Sequence, residues 1–378
     1  MSRVSIRATS DYRRETIETA LIDLLAPLGG MAAFVQPGQK VLVKPNMLAG
    51  KAPEKAVTTH PEVVRAVIRL AQQAGGVVAV GDSPGVGTPQ LVAARCGILP
   101  VIEETGAVFA PFADSVKVRP QGKTFHELEI AGDLLDADVI INLPKLKTHQ
   151  MMGLTCAVKN LFGGVVGMRK PRLHLQAGAD KAFFALMLLE LAAFLRPALN
   201  IVDAITAMEG NGPGSGDPVH VGALLAGAEA LAVDAVAIHL LGLRQESVWT
   251  QRVALEKLLP GSRLDEVEIV GADPRTLRPR SFRPAKNTEI HFGLPAFLRE
   301  SLKQSLTAWP KVDSDKCKLC GLCAEHCPPH VMSIGNQRLN IDYKHCIGCF
   351  CCQELCPHNA LFTGQGLLLR MKSYLAGH

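Results

Sequence analysis

Short apolar runs alternate with amphipathic runs along residues 1–274. Residues 41–45 have the length and β-branched content of a buried strand, whereas residues 61–74 carry apolar side chains at helical spacing until Gly75 and Gly76 end the run. Strands that alternate with helices in this way predict an α/β domain with a largely parallel sheet and flanking helices. The same pattern predicts strands at 77–80, 139–142, 201–204 and 221–226, a helix at 229–241, and a closing segment at 264–271.

The pattern changes after residue 274. Residues 275–310 are at first rich in proline and arginine and become helical around 296–306, so we interpret them as a linker. Residues 311–363 are too few for a large core and hold most of the cysteines, which predicts a small α+β domain stabilised by bound metal. Residues 364–378 form a C-terminal tail.

Composition and charge narrow the class of protein. With 378 residues, 48% of them hydrophobic, the chain can build one large core beside the small domain. The net charge of +5 is spread along the chain, which argues against a nucleic-acid partner. The N-terminus has no apolar signal region, and no stretch reaches the roughly 20 apolar residues of a spanning helix. We therefore expect a cytoplasmic protein without a membrane span.

Two cysteine runs in the small domain share the spacing C-x2-C-x2-C-x3-C-P, beginning at Cys317 and at Cys346. This is the ligand run of bacterial two-cluster ferredoxins, in which the fourth cysteine of each run ligates the other cluster. The runs therefore predict two [4Fe–4S] clusters as cofactors. We assign Cys317, Cys320, Cys323 and Cys356 to the first cluster, and Cys346, Cys349, Cys352 and Cys327 to the second.

A zinc site and a disulfide framework are the two other interpretations of the cysteine runs. Zinc also uses C-x2-C pairs, but a structural zinc site closes at four ligands and seldom uses two triple runs that each end in Cys-Pro. A disulfide framework is typical of short secreted chains. Cys351, directly before the ligand Cys352, is interpreted as an apolar filler, and Cys96 and Cys156 as buried thiols.

Residues 312–363 resemble the bacterial two-cluster ferredoxin family at every ligand position. In each half we expect a short helix that begins at the fourth cysteine, Cys327 or Cys356. Strands are expected at 331–334, 339–341 and 360–362. Acidic and basic side chains nearly balance here, whereas free ferredoxins are usually acidic, so we expect this domain to serve its own chain.

Polar side chains follow several predicted strands of the larger domain. Lys44 and Asn46 follow the first strand, Asp82 and Ser83 follow the second, and polar stretches at 142–149 and 203–216 follow two others. Ligands of open α/β sheets bind beyond the carboxyl ends of the strands. These positions therefore predict a ligand site at one edge of the sheet.

Several of these segments carry a family resemblance. The stretches 140–149 and 159–164, together with 43–46, 59–61, 81–85 and Asp234-Ala235, resemble the domain-of-unknown-function family numbered 362 over about residues 38–272. That family is often fused to a ferredoxin domain of this kind. The order of strands and helices is also similar to the N-terminal domain of the lactate racemase family, which is a likeness of fold alone.

Lysines and histidines are concentrated in the loops after these strands. We expect a pocket for an anionic substrate, a carboxylate or phosphate, in which Lys147, His149 and His174 are catalytic and supply protons. The alternative is a solvated loop surface. The other candidate binding residues for substrate or cofactor are Lys44, Asn46, Asp82, Ser83, Lys145, Lys159 and Asn160, and Lys170 and Arg172 belong to the same basic set.

Two glycine-rich loops, at residues 81–87 and 209–216, could bring backbone amides close to a phosphate. Neither matches a dinucleotide fingerprint or a P-loop, and we interpret the second as a tight turn. Asp82, Asp203 and Glu209 could instead gather a divalent cation, because oxygen ligands suit Mg²⁺ and Ca²⁺.

Two functions fit these features. The first is an iron–sulfur oxidoreductase that passes low-potential electrons through the two clusters to or from an anionic small molecule or cofactor in the α/β domain. The second is an electron-transfer or docking protein that relays electrons to a partner protein without a catalytic site of its own. The same features allow two macromolecular partners, a redox partner protein and a second copy of the chain in a homodimer. The sequence indicates neither the substrate nor a further cofactor such as a flavin.

Overall fold

The computed structural model describes residues 1–167, 169–286 and 303–375. Apolar, β-branched segments form the strands, as the sequence pattern requires. The strands are β1 (Ser2–Ala8), β2 (Lys40–Pro45), β3 (Val77–Val80), β4 (Val108–Phe109), β5 (Ser115–Val118), β6 (Leu128–Ala131), β7 (Val139–Leu143), β8 (Lys145–His149), β9 (Gly153–Thr155), β10 (Leu199–Glu209), β11 (Asp217–Gly227), β12 (Val267–Gly271), β13 (Ala308–Val312), β14 (Met332–Gly335), β15 (Arg338–Ile341) and β16 (Leu361–Gln365).

Helices alternate with these strands, and several begin at side-chain caps. The Thr88 hydroxyl and the Asp180 carboxylate accept hydrogen bonds from backbone amides at the first turns of two of them. The helices are α1 (Arg14–Leu25), α2 (Pro61–Gln73), α3 (Pro89–Arg95), α4 (Ile98–Thr105), α5 (Gly132–Leu135), α6 (Ala157–Asn160), α7 (Arg169–Ala177), α8 (Lys181–Leu195), α9 (Ala230–Leu240), α10 (Trp249–Glu256), α11 (Lys303–Leu306), α12 (Leu322–Glu325), α13 (Cys351–Leu355) and α14 (Leu367–Leu375).

One large sheet runs through the α/β domain in the order β12-β1-β11-β10-β7-β2-β3-β4. Its centre is parallel, since β2 pairs in parallel with β3 and β7, and β7 with β10. β11 is antiparallel to both β1 and β10. β8 branches from β10 and pairs with β9. The predicted fold class, a largely parallel sheet with flanking helices, is confirmed.

Both faces of the sheet are buried, because side chains alternate along each strand. On β2, Leu42 points into one hydrophobic core, whereas Val41 and Val43 point into the other. The core on the Leu42 side continues into the cysteine-rich domain and includes Phe350 and Cys351. The two domains therefore share apolar packing.

The predicted strands and helices of the α/β domain agree closely with the observed ones. The helix expected at 61–74 is α2, the helix expected at 229–241 is α9, and the closing segment at 264–271 ends in β12. The stretch 142–149, expected as polar residues after a strand, contains the strand β8. Of the helix expected at 296–306, residues 296–302 lie outside the described residues and the remainder includes α11.

The cysteine-rich domain contains two antiparallel strand pairs, β13 with β16 and β14 with β15. β13 begins at Ala308, inside the segment that the sequence assigns to the linker. The prediction that helices begin at the fourth cysteines is wrong, because α12 and α13 end before Cys327 and Cys356. A residue before proline avoids the helical region, and Cys356, which precedes Pro357, has an extended backbone.

Candidate functional site

A cavity of about 730 Å³ lies between the α/β domain and the helix α13 of the cysteine-rich domain. It opens beyond the carboxyl ends of β2 and β3, the edge at which the sequence predicted a ligand site. Leu48, Phe162, Pro171, Pro213 and Leu355 provide apolar walls. The polar lining side chains are Asn46, Asp82, Ser83, Lys147, His149, Thr155, Lys159, Asn160, Lys170, His174 and Glu354.

A buried ion pair lies beneath this cavity. Lys44 Nζ is 2.7 Å from Asp82 Oδ1 and donates a hydrogen bond to the Asn160 carbonyl at 2.6 Å. The side chains of Lys44 and Asp82 are almost entirely buried. Gly163 leaves the space for this pair, since a Cβ atom there would overlap the Asp82 carboxylate. Burial lowers the pKa of Lys44, and Asp82 partly opposes that effect.

Asparagines connect the ends of β2 and β7 through Asn160 of α6. Asn46 Nδ2 donates to Asn160 Oδ1 at 2.7 Å, and Asn160 Nδ2 donates to Asn142 Oδ1 at 2.8 Å. Lys147 Nζ donates to Asn46 Oδ1 at 2.8 Å and to the Val57 carbonyl at 2.6 Å. Burial lowers the pKa of Lys147 to about 7. The ammonium group is thus held rigidly by neutral oxygens and meets no carboxylate within hydrogen-bonding distance in the described residues.

His149 joins the two domains. Its Nε2 atom is 2.7 Å from Glu354 Oε1, which belongs to α13. Its Nδ1 atom accepts hydrogen bonds from the Met151 and Met152 amides at 3.2 and 3.3 Å. The ring proton therefore lies on Nε2, the nitrogen that faces Glu354. Burial lowers the pKa of His149 to about 4, so the ring is neutral at pH 7.

Glu354 is ionised although it is buried. Burial alone would raise its pKa, but His149, Lys159 and His174 together hold the pKa at about 2. The carboxylate is therefore a fixed negative charge in the wall of the cavity.

Lys159 and Lys170 approach the cavity from α6 and α7. Lys170 Nζ donates to the carbonyl and the hydroxyl of Ser83 at 2.6 and 2.9 Å, and burial lowers its pKa to about 7. Lys159 Nζ lies 5.4 Å from the centre of the Phe162 ring and forms no hydrogen bond or ion pair with other described residues. Lys159 therefore presents a free ammonium group to a ligand.

His174 forms the far wall. Its ring stacks on Phe184 at 4.2 Å between centroids and meets the edge of Phe162. Its Nδ1 atom is buried and has no hydrogen-bond partner in the part of the chain that the structure describes. Burial lowers its pKa to about 3, so this ring is also neutral at pH 7. A neutral imidazole without a partner can donate or accept a proton.

The eight cysteines of the two runs line two separate cavities. One, of about 330 Å³, is lined by Cys317, Cys320, Cys323 and Cys356, and the other, of about 290 Å³, by Cys327, Cys346, Cys349 and Cys352. The fourth cysteine of each run thus lies with the first three of the other run. Apolar side chains such as Ile334, Leu339, Met332 and Phe350 complete the two linings. Four thiols around an apolar hollow fit a [4Fe–4S] cluster.

The structure brings together most of the residues that the sequence predicted for the pocket. Asn46, Asp82, Ser83, Lys147, His149, Lys159, Asn160 and His174 line the cavity, and Lys44 lies directly behind it.

Lys145 lies elsewhere. Its ammonium group is 2.8 Å from Asp203 and 2.9 Å from the Tyr12 hydroxyl. β8 pairs with β10 at Lys145 and again at Lys147, but the register shifts between the two pairs. This irregularity bends the strand, so that side chains two residues apart face different surroundings.

The alternative of a divalent cation is not supported. Asp82 pairs with Lys44, Asp203 with Lys145, and Glu209 with Arg283. Among the described residues, no three histidine, cysteine or carboxylate side chains converge as they would on a single ion. The three carboxylates are therefore partners of basic side chains.

Sequence reasoning missed the contribution of α13. Cys351, Glu354 and Leu355 line the cavity, although they lie within the second cysteine run. The glycine-rich loop at 209–216 holds this helix in place, since Gln353 Nε2 donates to Asn211 Oδ1 at 2.7 Å. Lys51 also crosses between the domains and donates to the Gly214 carbonyl and to Asn359. No local signal in the sequence indicates these contacts.

The fold and the two cysteine-lined cavities define this class of protein, an α/β domain fused to a two-cluster iron–sulfur domain. Residues 310–357 match the 4Fe-4S dicluster domain, so the predicted cofactors, two [4Fe–4S] clusters, are confirmed. Residues 41–239 match the family described as Domain of unknown function (DUF362), and the chain belongs to that family. The predicted family and the C-terminal position of the cluster domain are thereby confirmed.

The chain is similar to proteins from other organisms over different parts of its length. The Thylakoid-associated protein sll1697 of Synechocystis sp. is 40% identical over 301 residues, covering 79% of this chain and 93% of the relative. The pyruvate synthase subunit PorD of Methanocaldococcus jannaschii is 35% identical over 66 residues, covering 16% of this chain and 77% of the subunit. The iron–sulfur domain indicates electron transfer.

Among solved structures, the lactate racemase apoprotein of Thermoanaerobacterium thermosaccharolyticum is similar in fold. The TM-score is 0.40 at 14% identity, with 60% of this chain and 54% of the racemase covered. A likeness at this level carries no argument about activity. Within the described residues, none of the helices has the length and apolar character needed to cross a bilayer.

Proposed function

We propose that this protein is an iron–sulfur oxidoreductase that exchanges electrons between its two clusters and an anionic small molecule bound in the cavity. We assign Cys317, Cys320, Cys323 and Cys356 as ligands of the first cluster, and Cys346, Cys349, Cys352 and Cys327 as ligands of the second. The clusters supply one-electron transfer at low potential. Oxygen-sensitive clusters favour a reducing compartment, and we therefore propose a cytoplasmic location.

The observation that carries the proposal is the double role of α13. Its Cys352 lines the cavity of the second cluster, whereas its neighbours Cys351 and Glu354 line the cavity that faces the α/β domain. One turn of helix therefore separates the electron carrier from the ligand site. This proximity supports electron exchange between the second cluster and a ligand in the cavity.

The side chains of the cavity suit proton transfer as well as anion binding. Lys159 and Lys170 supply positive charge at the cavity wall. His149 and His174 are neutral at pH 7, so these rings can take part in hydrogen bonds and accept protons. Lys147, with a pKa lowered to about 7, titrates near neutral pH. Reduction of an organic substrate needs protons as well as electrons, and Lys147 is the group that we propose as their donor.

The exposure of the first cluster site favours a redox partner protein as well. Cys320 is exposed, whereas the four cysteines of the second site are buried. Lys318 lines the mouth of the first site, and none of the residues that line it is a carboxylate. We propose that an acidic one-electron carrier protein docks at this mouth. In the alternative function, a relay without catalysis, this surface is retained and the cavity binds no substrate.

The test is anion binding to the protein with both clusters in place. Lys159→Met removes a charge that makes no hydrogen bond, so it changes the cavity without leaving a buried acceptor unpaired. Lys147→Ala is a poorer choice, because it would leave Asn46 and the Val57 carbonyl without their donor. The exposed Lys257→Met is the matched control.

Phosphate and acetate are the probes, titrated calorimetrically under anaerobic conditions. We expect Lys159→Met to weaken binding of the better probe at least about tenfold, since a hydrogen bond to a charged group contributes about 1.5–3 kcal/mol. Iron content, cluster absorbance and the affinity of Lys257→Met should match the wild type. Wild-type protein that binds neither probe, or a Lys159→Met variant that binds normally, would exclude the substrate cavity and leave the relay.

A further inference from the structure

The cavity carries more positive than negative charge. Its lining side chains include Lys147, Lys159 and Lys170, whereas the lining carboxylates are Asp82 and Glu354. With Lys44 behind the wall, four lysines are set against two carboxylates. His149 and His174 add no charge, because both rings are neutral at pH 7. When all four lysines are protonated, two positive charges of the lining side chains are therefore unmatched.

Neither carboxylate lies within hydrogen-bonding distance of Lys147, Lys159 or Lys170. Asp82 Oδ1 is bound to Lys44, and Asp82 Oδ2 accepts a hydrogen bond from the Met47 amide at 2.8 Å. Glu354 Oε1 lies 2.7 Å from the neutral ring of His149. Lys147 and Lys170 donate only to neutral oxygens, and Lys159 forms no hydrogen bond with other described residues. Buried charges of one sign without partners are costly, and a ligand of opposite charge removes that cost.

We propose that the ligand of this cavity is a small organic dianion, carrying either two carboxylates or one phosphate monoester on an apolar body. This inference rests on the proposed function and specifies its substrate class. Two negative charges match the two unmatched lysine charges. The apolar body fits the walls formed by Leu48, Phe162, Pro171, Pro213 and Leu355. The cavity thus combines apolar walls with a few convergent polar groups, as sites for small organic ligands do.

Binding of a dianion should also be coupled to the uptake of protons by the protein. Burial, together with the charge of nearby Lys159, lowers the pKa of Lys147 and of Lys170 to about 7, although Asp82 and Glu354 oppose this effect. Above pH 7 these amines are largely neutral in the free protein, and a bound dianion favours their charged form. Binding at pH 8 is therefore accompanied by proton uptake. At pH 6 the amines already hold their protons, so uptake vanishes.

Matched ligand pairs test the charge of the ligand. Succinate and succinamate have the same shape but differ by one charge. In the phosphate series, glycerol 3-phosphate, a dianion above its second pKa of about 6, is compared with its methyl diester, which is a monoanion. Calorimetric titration of the cluster-loaded protein at pH 8 should show at least one dianion binding tenfold or more tightly than its monoanionic counterpart. The pair that shows the preference distinguishes a dicarboxylate from a phosphate ester.

Lys159→Met should reduce the preference for the dianion at least about threefold, and the exposed control Lys257→Met should keep it. Titration in two buffers of different ionisation enthalpy should give uptake of about one proton or more at pH 8. At pH 6 the net uptake should be lost, and a phosphate ester should release protons instead because its second pKa is about 6.

Equal affinity for dianion and monoanion, or no proton uptake at pH 8, would overturn the dianion while leaving an anion site. Absence of binding by every probe would overturn the proposed function together with this inference. The two failures are therefore distinguishable.

Discussion

Replacement of Gly163 by alanine should lower the thermal stability of the protein far more than a glycine-to-alanine change usually does. A Cβ atom at this position would overlap Asp82 Oδ1 and lie 2.7 Å from Lys44 Nζ. Atoms at such separations repel strongly, so either the backbone of residues 161–164 shifts or the ion pair opens. Lys44 also donates to the Asn160 carbonyl, so a backbone shift in this segment disturbs the same group.

The size of the effect follows from the burial of the pair. The side chains of Lys44 and Asp82 are 0% and 4% exposed. Separating a buried ion pair costs about 3–5 kcal/mol, because each charge is left without its partner. For a domain of this size each kcal/mol lowers the melting temperature by roughly 2–4 °C. We therefore expect Gly163→Ala to melt roughly 10 °C below the wild type.

Gly132→Ala is the matched control. Gly132 is the first residue of α5, and a Cβ atom there would meet only Val116 Cγ2 at 3.9 Å, an ordinary contact. Alanine favours a helix over glycine by up to about 1 kcal/mol, so the control should melt at or slightly above the wild-type temperature. Thermal unfolding is followed by circular dichroism under anaerobic conditions, with iron content equal in all samples. If Gly163→Ala has the same melting temperature as the control, the Lys44–Asp82 ion pair can shift at little cost in stability, and the reasoning is wrong.

Stability of the wild type should fall as the pH drops from 6.5 towards 3, because unfolded His174 takes up a proton that the buried ring, with its pKa lowered to about 3, does not. His174→Phe should flatten the plot of melting temperature against pH, and an unchanged slope would contradict this. Cys351→Ala should keep about eight iron atoms per chain, whereas Cys352→Ser should lose about half of them, as measured by iron and sulfide analysis. Lys318→Glu should slow association with an acidic two-cluster ferredoxin about tenfold at low salt, while the exposed control Lys344→Glu should not; equal slowing by both would argue against docking at the first cluster.

The frame of the fold could be predicted from sequence because its signals are local. Each central strand is a short apolar run buried on both faces, so β2 and β7 follow directly from residue type. Both cluster sites were equally predictable, since cysteine spacing alone determines which thiols can meet around a cluster. Cys356 lines a cavity with the first three cysteines of the first run, and Cys327 lines a cavity with those of the second run. This holds even though the nearby helices end where we expected helices to begin.

The cavity could be predicted only in part. Polar residues at strand ends identify the α/β side, because parallel strands bring their carboxyl ends to one edge. Glu354 is far from His149 in sequence, and its spacing within a cysteine run indicates nothing about the α/β domain. The position of Lys145 depends on a register shift between β8 and β10, which no local pattern encodes.

The short helix α13 has a consequence for the maturation of the protein. On our ligand assignment, Cys352 of α13 binds the second cluster and Cys356, the residue after α13, binds the first, so iron–sulfur insertion fixes the position of Glu354. We therefore expect a chain that has not received its clusters to hold this wall of the cavity less firmly. Such an immature chain would bind a ligand of the cavity more weakly, and loss of a cluster by oxidation would favour release of that ligand.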